Sequence, residues 1–134
     1  MTREIKYRAW IKNKGKGEIM EYYDLLKDDS DRFLLFHCAI DLDMPIMQYT
    51  GLKDKRNRDI YEGDILKIGE VGNFEVKWTT YAYGNEYGDE PEGYTTGWIG
   101  KEVDGVREHL LNPHYMEFNE ITGNIYENPD LLEE

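Results

Sequence analysis

Residues 4–11 read EIKYRAWI, with Ile5, Tyr7, Ala9 and Ile11 alternating with Glu4, Lys6, Arg8 and Trp10. A period of two predicts a half-buried strand. KNKGKG at 12–17 is charged and carries glycine, so it predicts a turn, and a second strand over 18–23 completes a hairpin. Residues 24–32 are polar and turn-rich, with room for one helical turn. RFLLFHCAI at 32–40 is a short apolar run. Its length favours a buried strand over a helix, although periodicity does not decide between them. DLDMP at 41–45 ends the run, because Asp favours turns and Pro45 restricts the residue before it.

A short strand over 46–50 leads into a charged stretch, KDKRNRD at 53–59. Residues 54–58 predict a solvated hairpin tip at which Asn57 takes a positive φ. Ile60 and Tyr61 then turn inward. Glu62, Gly63 and Asp64 predict a tight turn in which Gly63 supplies a conformation awkward for other residues. The strand at 65–68 leaves that turn to enter a closed, mostly antiparallel barrel. GEVG at 69–72 reads as a hairpin turn and lacks the Lys-Ser/Thr that a phosphate cradle needs. In NFEVKW at 73–78, Phe74, Val76 and Trp78 alternate with Glu75 and Lys77. YAYGNEYGDEPEGY at 81–94 predicts a long acidic loop with aromatic anchors. A returning strand follows at 95–101. One or two helical turns are expected over 104–111, ended by Asn112-Pro113, and a last strand over 118–125. After the turn at Asn128-Pro129, Leu131 and Leu132 are expected to dock on the body.

These elements predict a mainly β protein with minor α content. The break at 41–45 divides it into a small β-rich N-terminal subdomain, 1–44, and a C-terminal barrel, 45–134. The 11 Tyr, 4 Phe and 3 Trp in 134 residues agree with strands, whose pleated, half-buried surface suits tyrosine. A chain of this length buries enough surface to fold without disulfide or metal. Its single cysteine, Cys38, makes no intramolecular bridge.

Charge narrows the partners. Twenty-eight acidic residues against 16 basic give a net charge of −12. That disfavours a nucleic-acid binder, which needs a basic face, and an anionic membrane surface. No apolar signal core opens the sequence and no run reaches a membrane span, so a cytoplasmic protein is expected.

Three segments carry a family signal in combination: REIKYRAW at 3–10; MQYTGLKDK at 47–55 with IYEGDI at 60–65; and GNIYENPDLL at 123–132. In order and position they resemble the YopX family of phage and prophage proteins. The pattern is altered where Arg56-Asn57 stands for the more usual Asn-Gly, where Ile11 replaces an acidic residue, and where Thr122 replaces an apolar one. Asn57 still tolerates positive φ. The resemblance implies an SH3-like barrel in the C-terminal part and a phage or prophage origin, hence a bacterial host cytoplasm. It brings no established active site.

The residues themselves offer little chemistry. His37 and Cys38 lie beside Asp41 and Asp43, but a metal site needs about four convergent ligands, and His109 and His114 are distant. Cys38 lacks the local signature of a nucleophile and is expected to be a small buried residue. Glu62 and Asp64 are two nearby carboxylates, a pattern that can serve acid–base work, yet their turn accounts for them. Asp89, Glu90 and Glu92 form an acidic run expected to be solvated. No catalytic, cofactor or metal site is expected.

Tyr81, Tyr83, Tyr87, Tyr94 and Trp98 form the one suggestive constellation. These rings either cover the barrel end or bind a partner, since exposed aromatics give contact area at low entropic cost. The leading expectation is therefore a non-enzymatic interaction protein that presents an acidic, Tyr-rich surface to another protein or to itself as a homo-oligomer. The alternatives are a barrel that associates with nucleic acid through Lys53, Lys55, Arg56 and Arg58, and a DNA-mimicking inhibitor of a host enzyme.

Overall fold

The structure, a computed structural model, describes residues 4–13, 17–27, 29–68, 72–83, 93–102, 108–111 and 119–132. It is mainly β, with two antiparallel sheets and one α-helix among the described residues. The chain forms two compact units. The first comprises residues 1–53 and 59–62, and the second 54–58 and 63–134.

In the first unit, β1 (Lys6–Asn13) pairs along its whole length with β2 (Gly17–Asp24). β3 (Ile46–Lys53) flanks β1 on its other side, and β4 (Asp59–Tyr61) pairs with β3, giving the order β2-β1-β3-β4. β3, expected in the C-terminal subdomain, thus joins the N-terminal sheet through Tyr7↔Gln48, Arg8↔Met47 and Ala9↔Ile46. The alternation of β1 sorts its side chains. Tyr7, Ala9 and Ile11 join Tyr23, Ile46, Phe36 and Ala39 in one core cluster. The Phe36 ring sits 5.2 Å from Tyr7 and 5.1 Å from Tyr23.

Phe36 and Ala39 belong to α1 (Ser30–Asp41), where a buried strand was expected. The local cause is a cap. Asp29 accepts the Arg32 N–H at 3.0 Å, which satisfies one of the helix's unpaired first-turn donors. At the other end the Leu42 N–H reaches the Cys38 carbonyl, and Asp43 turns the chain at φ 56°.

In the second unit, β5 (Asp64–Ile68), β6 (Asn73–Tyr83), β7 (Gly93–Glu102), β8 (Glu108–Leu110) and β9 (Asn119–Asn124) form a sheet of order β8-β7-β6-β5-β9. It curls as a half-barrel whose described edges are β8 and β9, rather than closing fully. Among the described residues its buried apolar side chains are Ile65, Leu66, Phe74, Val76, Ile99 and Leu111. Gly100 lets β7 approach β6, since a Cβ there would come within 3.2 Å of the Phe74 Cβ. Two further expectations change. Residues 108–110 form a strand rather than helical turns, and the segment expected as a loop from 81 to 94 continues β6 to Tyr83 and resumes as β7 at Gly93. Chain-end packing is a short 3-10 helix, Pro129–Leu132, whose Leu131 carbonyl accepts from Asn73 Nδ2 at 3.2 Å.

Candidate functional site

The charged hairpin tip is a polar knot. The buried Asp54 carboxylate accepts the backbone N–H groups of Arg56 and Arg58 at one oxygen, both at 2.9 Å. Its other oxygen accepts the Ile121 N–H and Arg58 Nε, both at 3.0 Å. Arg58 also donates to the Ile121 carbonyl at 2.8 Å. Burial pushes the Asp54 carboxyl up, but these donors outweigh it and hold the group below its ordinary range. Lys55 and Arg56 both pair with Glu120, at 3.3 and 2.9 Å, and Lys53 pairs with Asp59 at 2.7 Å. Each of the four cations read as a basic tip therefore has a carboxylate partner.

A second cluster lies in the first unit. Asp59 accepts from Lys6 at 2.9 Å as well as from Lys53. The two ammonium groups outweigh the burial that pushes Asp59 up and hold its carboxyl low. The Arg8 guanidinium stands 4.9 Å over the Tyr61 ring and donates to the Glu62 carbonyl at 3.2 Å. Tyr61 packs 5.6 Å from Tyr49 and 5.5 Å from Tyr22. Burial, and next the Asp59 charge, raise the Tyr61 hydroxyl far above its ordinary value, so it stays protonated. These contacts join residues of the first two family-like segments and read as structural cement. The Glu62 N–H reaches the Gln48 carbonyl at 2.9 Å, and Gly63 has φ 85°. Asp64 is buried and opposes Asn124 in the β5–β9 ladder.

Most of the aromatic constellation lies along the β6–β7 ladder. Trp78 faces Trp98 directly across the strands, ring centroids 5.0 Å apart in an edge-on arrangement. The Thr80 and Thr96 hydroxyls, one pair further along the same face, lie 2.9 Å apart. Trp78 is 54% exposed, although the alternation of NFEVKW groups it with the buried Phe74 and Val76. β6 outruns its core, so an inward position at 74 or 76 becomes an outward-lying one at 78. Tyr94 opposes Ala82 in the ladder. Tyr81 and Tyr83 oppose Thr95 and Gly93 in the same ladder. Tyr87, Asp89, Glu90 and Glu92 lie outside the described residues. Of the expected constellation, Trp98 lies against Trp78, a ring the sequence reading left out of it. Only the cross-strand register could have brought the two tryptophans together.

The sequence model described as YopX protein matches residues 6–133. This chain belongs to the YopX family. A comparison with the curated proteins finds no match. Among solved structures, it is similar to protein EF1440 from Enterococcus faecalis, with 22% identity over 96% of this chain and 98% of that chain and a TM-score of 0.44.

The remaining candidates of this YopX-family chain fall apart in space. Cys38 is exposed on α1 rather than buried, and His37 stacks edge-on against Phe33 at 5.2 Å. Among the described residues no group of three or more His, Cys, Asp or Glu could hold a metal ion. His109 is a β8 residue, and His114 lies outside the described residues. Among the described residues no helix is long and apolar enough to cross a membrane.

Proposed function

We propose that this YopX-family chain is a non-enzymatic, phage- or prophage-encoded binding protein whose β6–β7 arm docks a protein partner in the bacterial host cytoplasm. The observation that carries the reading is the Trp78–Trp98 pair. A tryptophan ring buries some 150–250 Å² when covered, so a half-exposed one is a large unsatisfied apolar surface. Tryptophan is also among the residues most enriched at the energetic centres of interfaces. The edge-on contact with Trp98 holds Trp78 in place, so a partner meets a ring that is already ordered. The net charge of −12 favours a partner with a basic rim and makes association slower in salt. Nucleic-acid contact draws no support from Lys53, Lys55, Arg56 and Arg58, since each is engaged by a carboxylate.

Tagged wild-type chain and the Trp78→Ala, Trp98→Ala double variant, compared in affinity capture from a lysogenic host, test this. The double variant should lose the protein that co-purifies with wild type while keeping its circular dichroism. Equal capture by both would sink the reading. Sedimentation of the pure chain in parallel separates a foreign partner from self-association.

A further inference from the structure

We propose that the outward face of α1 is a docking site for a basic amphipathic helix of another protein. The helix is apolar around almost its whole circumference. Phe36 and Ala39 fill the inner side against the sheet. Leu34, Cys38 and Leu42 follow one another at four-residue steps, and Phe33, His37 and Ile40 form the neighbouring row. All six are exposed, Leu34 at 63% and Leu42 at 68%. Leu35 and Leu26 are exposed as well. A helix with apolar residues on every side belongs in an interior, and a contiguous exposed patch of this kind marks an interaction surface.

Charge selects the occupant. Asp29 and Asp31 stand at the N-terminal end of α1, and Asp41 and Asp43 at its C-terminal end, Asp31, Asp41 and Asp43 exposed. Arg32, the helix's own cation, is drawn inward. It pairs with Glu21 at 3.2 Å, donates to the Tyr22 carbonyl, and stacks over the Tyr23 ring at 4.7 Å. Lys27 precedes the helix, at the opposite end from Asp41 and Asp43. The last turn carries no basic residue, although the carbonyl end of a helix favours a cation and disfavours a carboxylate. The C-terminal end therefore presents Asp41, Asp43 and the helix's own partial negative charge beside Leu42. A second copy of this chain is a poor fit. Packed antiparallel, two α1 helices bring Asp41 and Asp43 of one to Asp29 and Asp31 of the other, where Lys27 is one cation against two carboxylates; packed parallel, each carboxylate meets its twin. A helix with leucine-like anchors at three- and four-residue spacing, rimmed by Lys or Arg, covers the apolar rows and supplies the missing cations.

This reading stands apart from the tryptophan arm, so Trp78→Ala should leave it unchanged. Three fluorescent 18-residue peptides probe it against the full chain by anisotropy: a Leu/Lys amphipathic helix, the same residues scrambled to remove the apolar face, and a Leu/Glu counterpart. The Leu/Lys helix should bind at least about tenfold more tightly than either control. The Leu34→Gln, Leu42→Gln double variant should weaken it at least about tenfold, and Asp41→Asn with Asp43→Asn roughly threefold, with a shallower salt dependence. Because the substituted side chains are exposed, these variants should keep the wild-type dichroism. Cys38, the single cysteine, gives a readout that needs no substitution: saturating Leu/Lys peptide should slow its alkylation by a maleimide at least about fivefold, the size of a site covered most of the time. Equal binding of the scrambled peptide, an unprotected Cys38, or a wild-type dimer that Leu34→Gln and Leu42→Gln dissolve would each overturn the proposal, the last by showing that a second copy covers this face.

Discussion

Asp54 shows how one side chain can organise a turn. Its carboxylate takes two donors from the tip's own backbone and two more from Ile121 and Arg58, so four groups converge on a single buried charge. Asp54→Asn keeps the shape but not the chemistry. The amide oxygen can still face the Arg56 and Arg58 N–H groups, while its NH₂ then confronts the Ile121 N–H, donor against donor. The variant should lose about 2–4 kcal/mol at pH 7, read from urea unfolding. The sign of the pH dependence follows from the lowered carboxyl. Its contribution is complete above the ordinary value of 3.8 and disappears as pH falls through the lower folded value. The gap between wild type and Asp54→Asn should therefore hold at pH 5 and close only on acidification below that ordinary value. A gap that shrinks between pH 7 and 5 would assign the stability to another group. Lys6 and Lys53 work at the opposite end of the scale. Hydrogen bonds to Asp59 raise both above 10.5, so their contribution is present below that value and fades as pH climbs past the raised ones.

Among the elements, strands with a period of two were legible and the helix was not. EIKYRAWI announced β1 by its period of two, although the face bearing Arg8 and Trp10 is buried as well, and the strand expected over 118–125 is β9. Asn57 and Gly63 were legible for a local reason: both sit at positive φ, 65° and 85°, which only a few residue types accept readily. RFLLFHCAI misled because a helix with apolar residues all round has no polar period to display. Its cap, Asp29, gave the better signal, standing three residues before the Arg32 amide it accepts. The tryptophan pair was invisible for a different reason. Alternation assigns a side chain to a face, but where β6 leaves its core is decided by neighbouring strands, and the 20-residue offset between Trp78 and Trp98 is a matter of register. The helix makes its own prediction. Asp41 faces the carbonyl end of α1, so Asp41→Lys should stabilise the chain by about 0.3–1 kcal/mol in low salt, less as salt is added. A loss of stability would mean that Asp41 has a structural role beyond its charge.

For the molecule as a whole, the two units are interleaved along the chain rather than laid end to end. Residues 54–58 belong to the second unit while the strands on either side of them belong to the first. A boundary at 44–45 would separate β3 from β1, its ladder partner. One at 62–63 keeps both sheets whole but removes Asp54 from Ile121 and Lys55 from Asn119, whose carbonyl accepts the Lys55 N–H at 2.8 Å. A unit of roughly 80 residues draws only about 3–5 kcal/mol from a single core. Losing a buried, multiply bonded carboxylate costs about as much, so the tip decides whether that unit folds by itself. Fragment 54–134 should therefore unfold cooperatively in urea, and fragment 63–134 should show little or no transition. Asp54→Asn placed in fragment 54–134 should reproduce most of that loss, which separates the carboxylate's contribution from that of the extra residues. If 63–134 proves as stable as 54–134, the tip is an ornament of the first unit's hairpin, and its pairing with β9 contributes nothing to holding the half-barrel together.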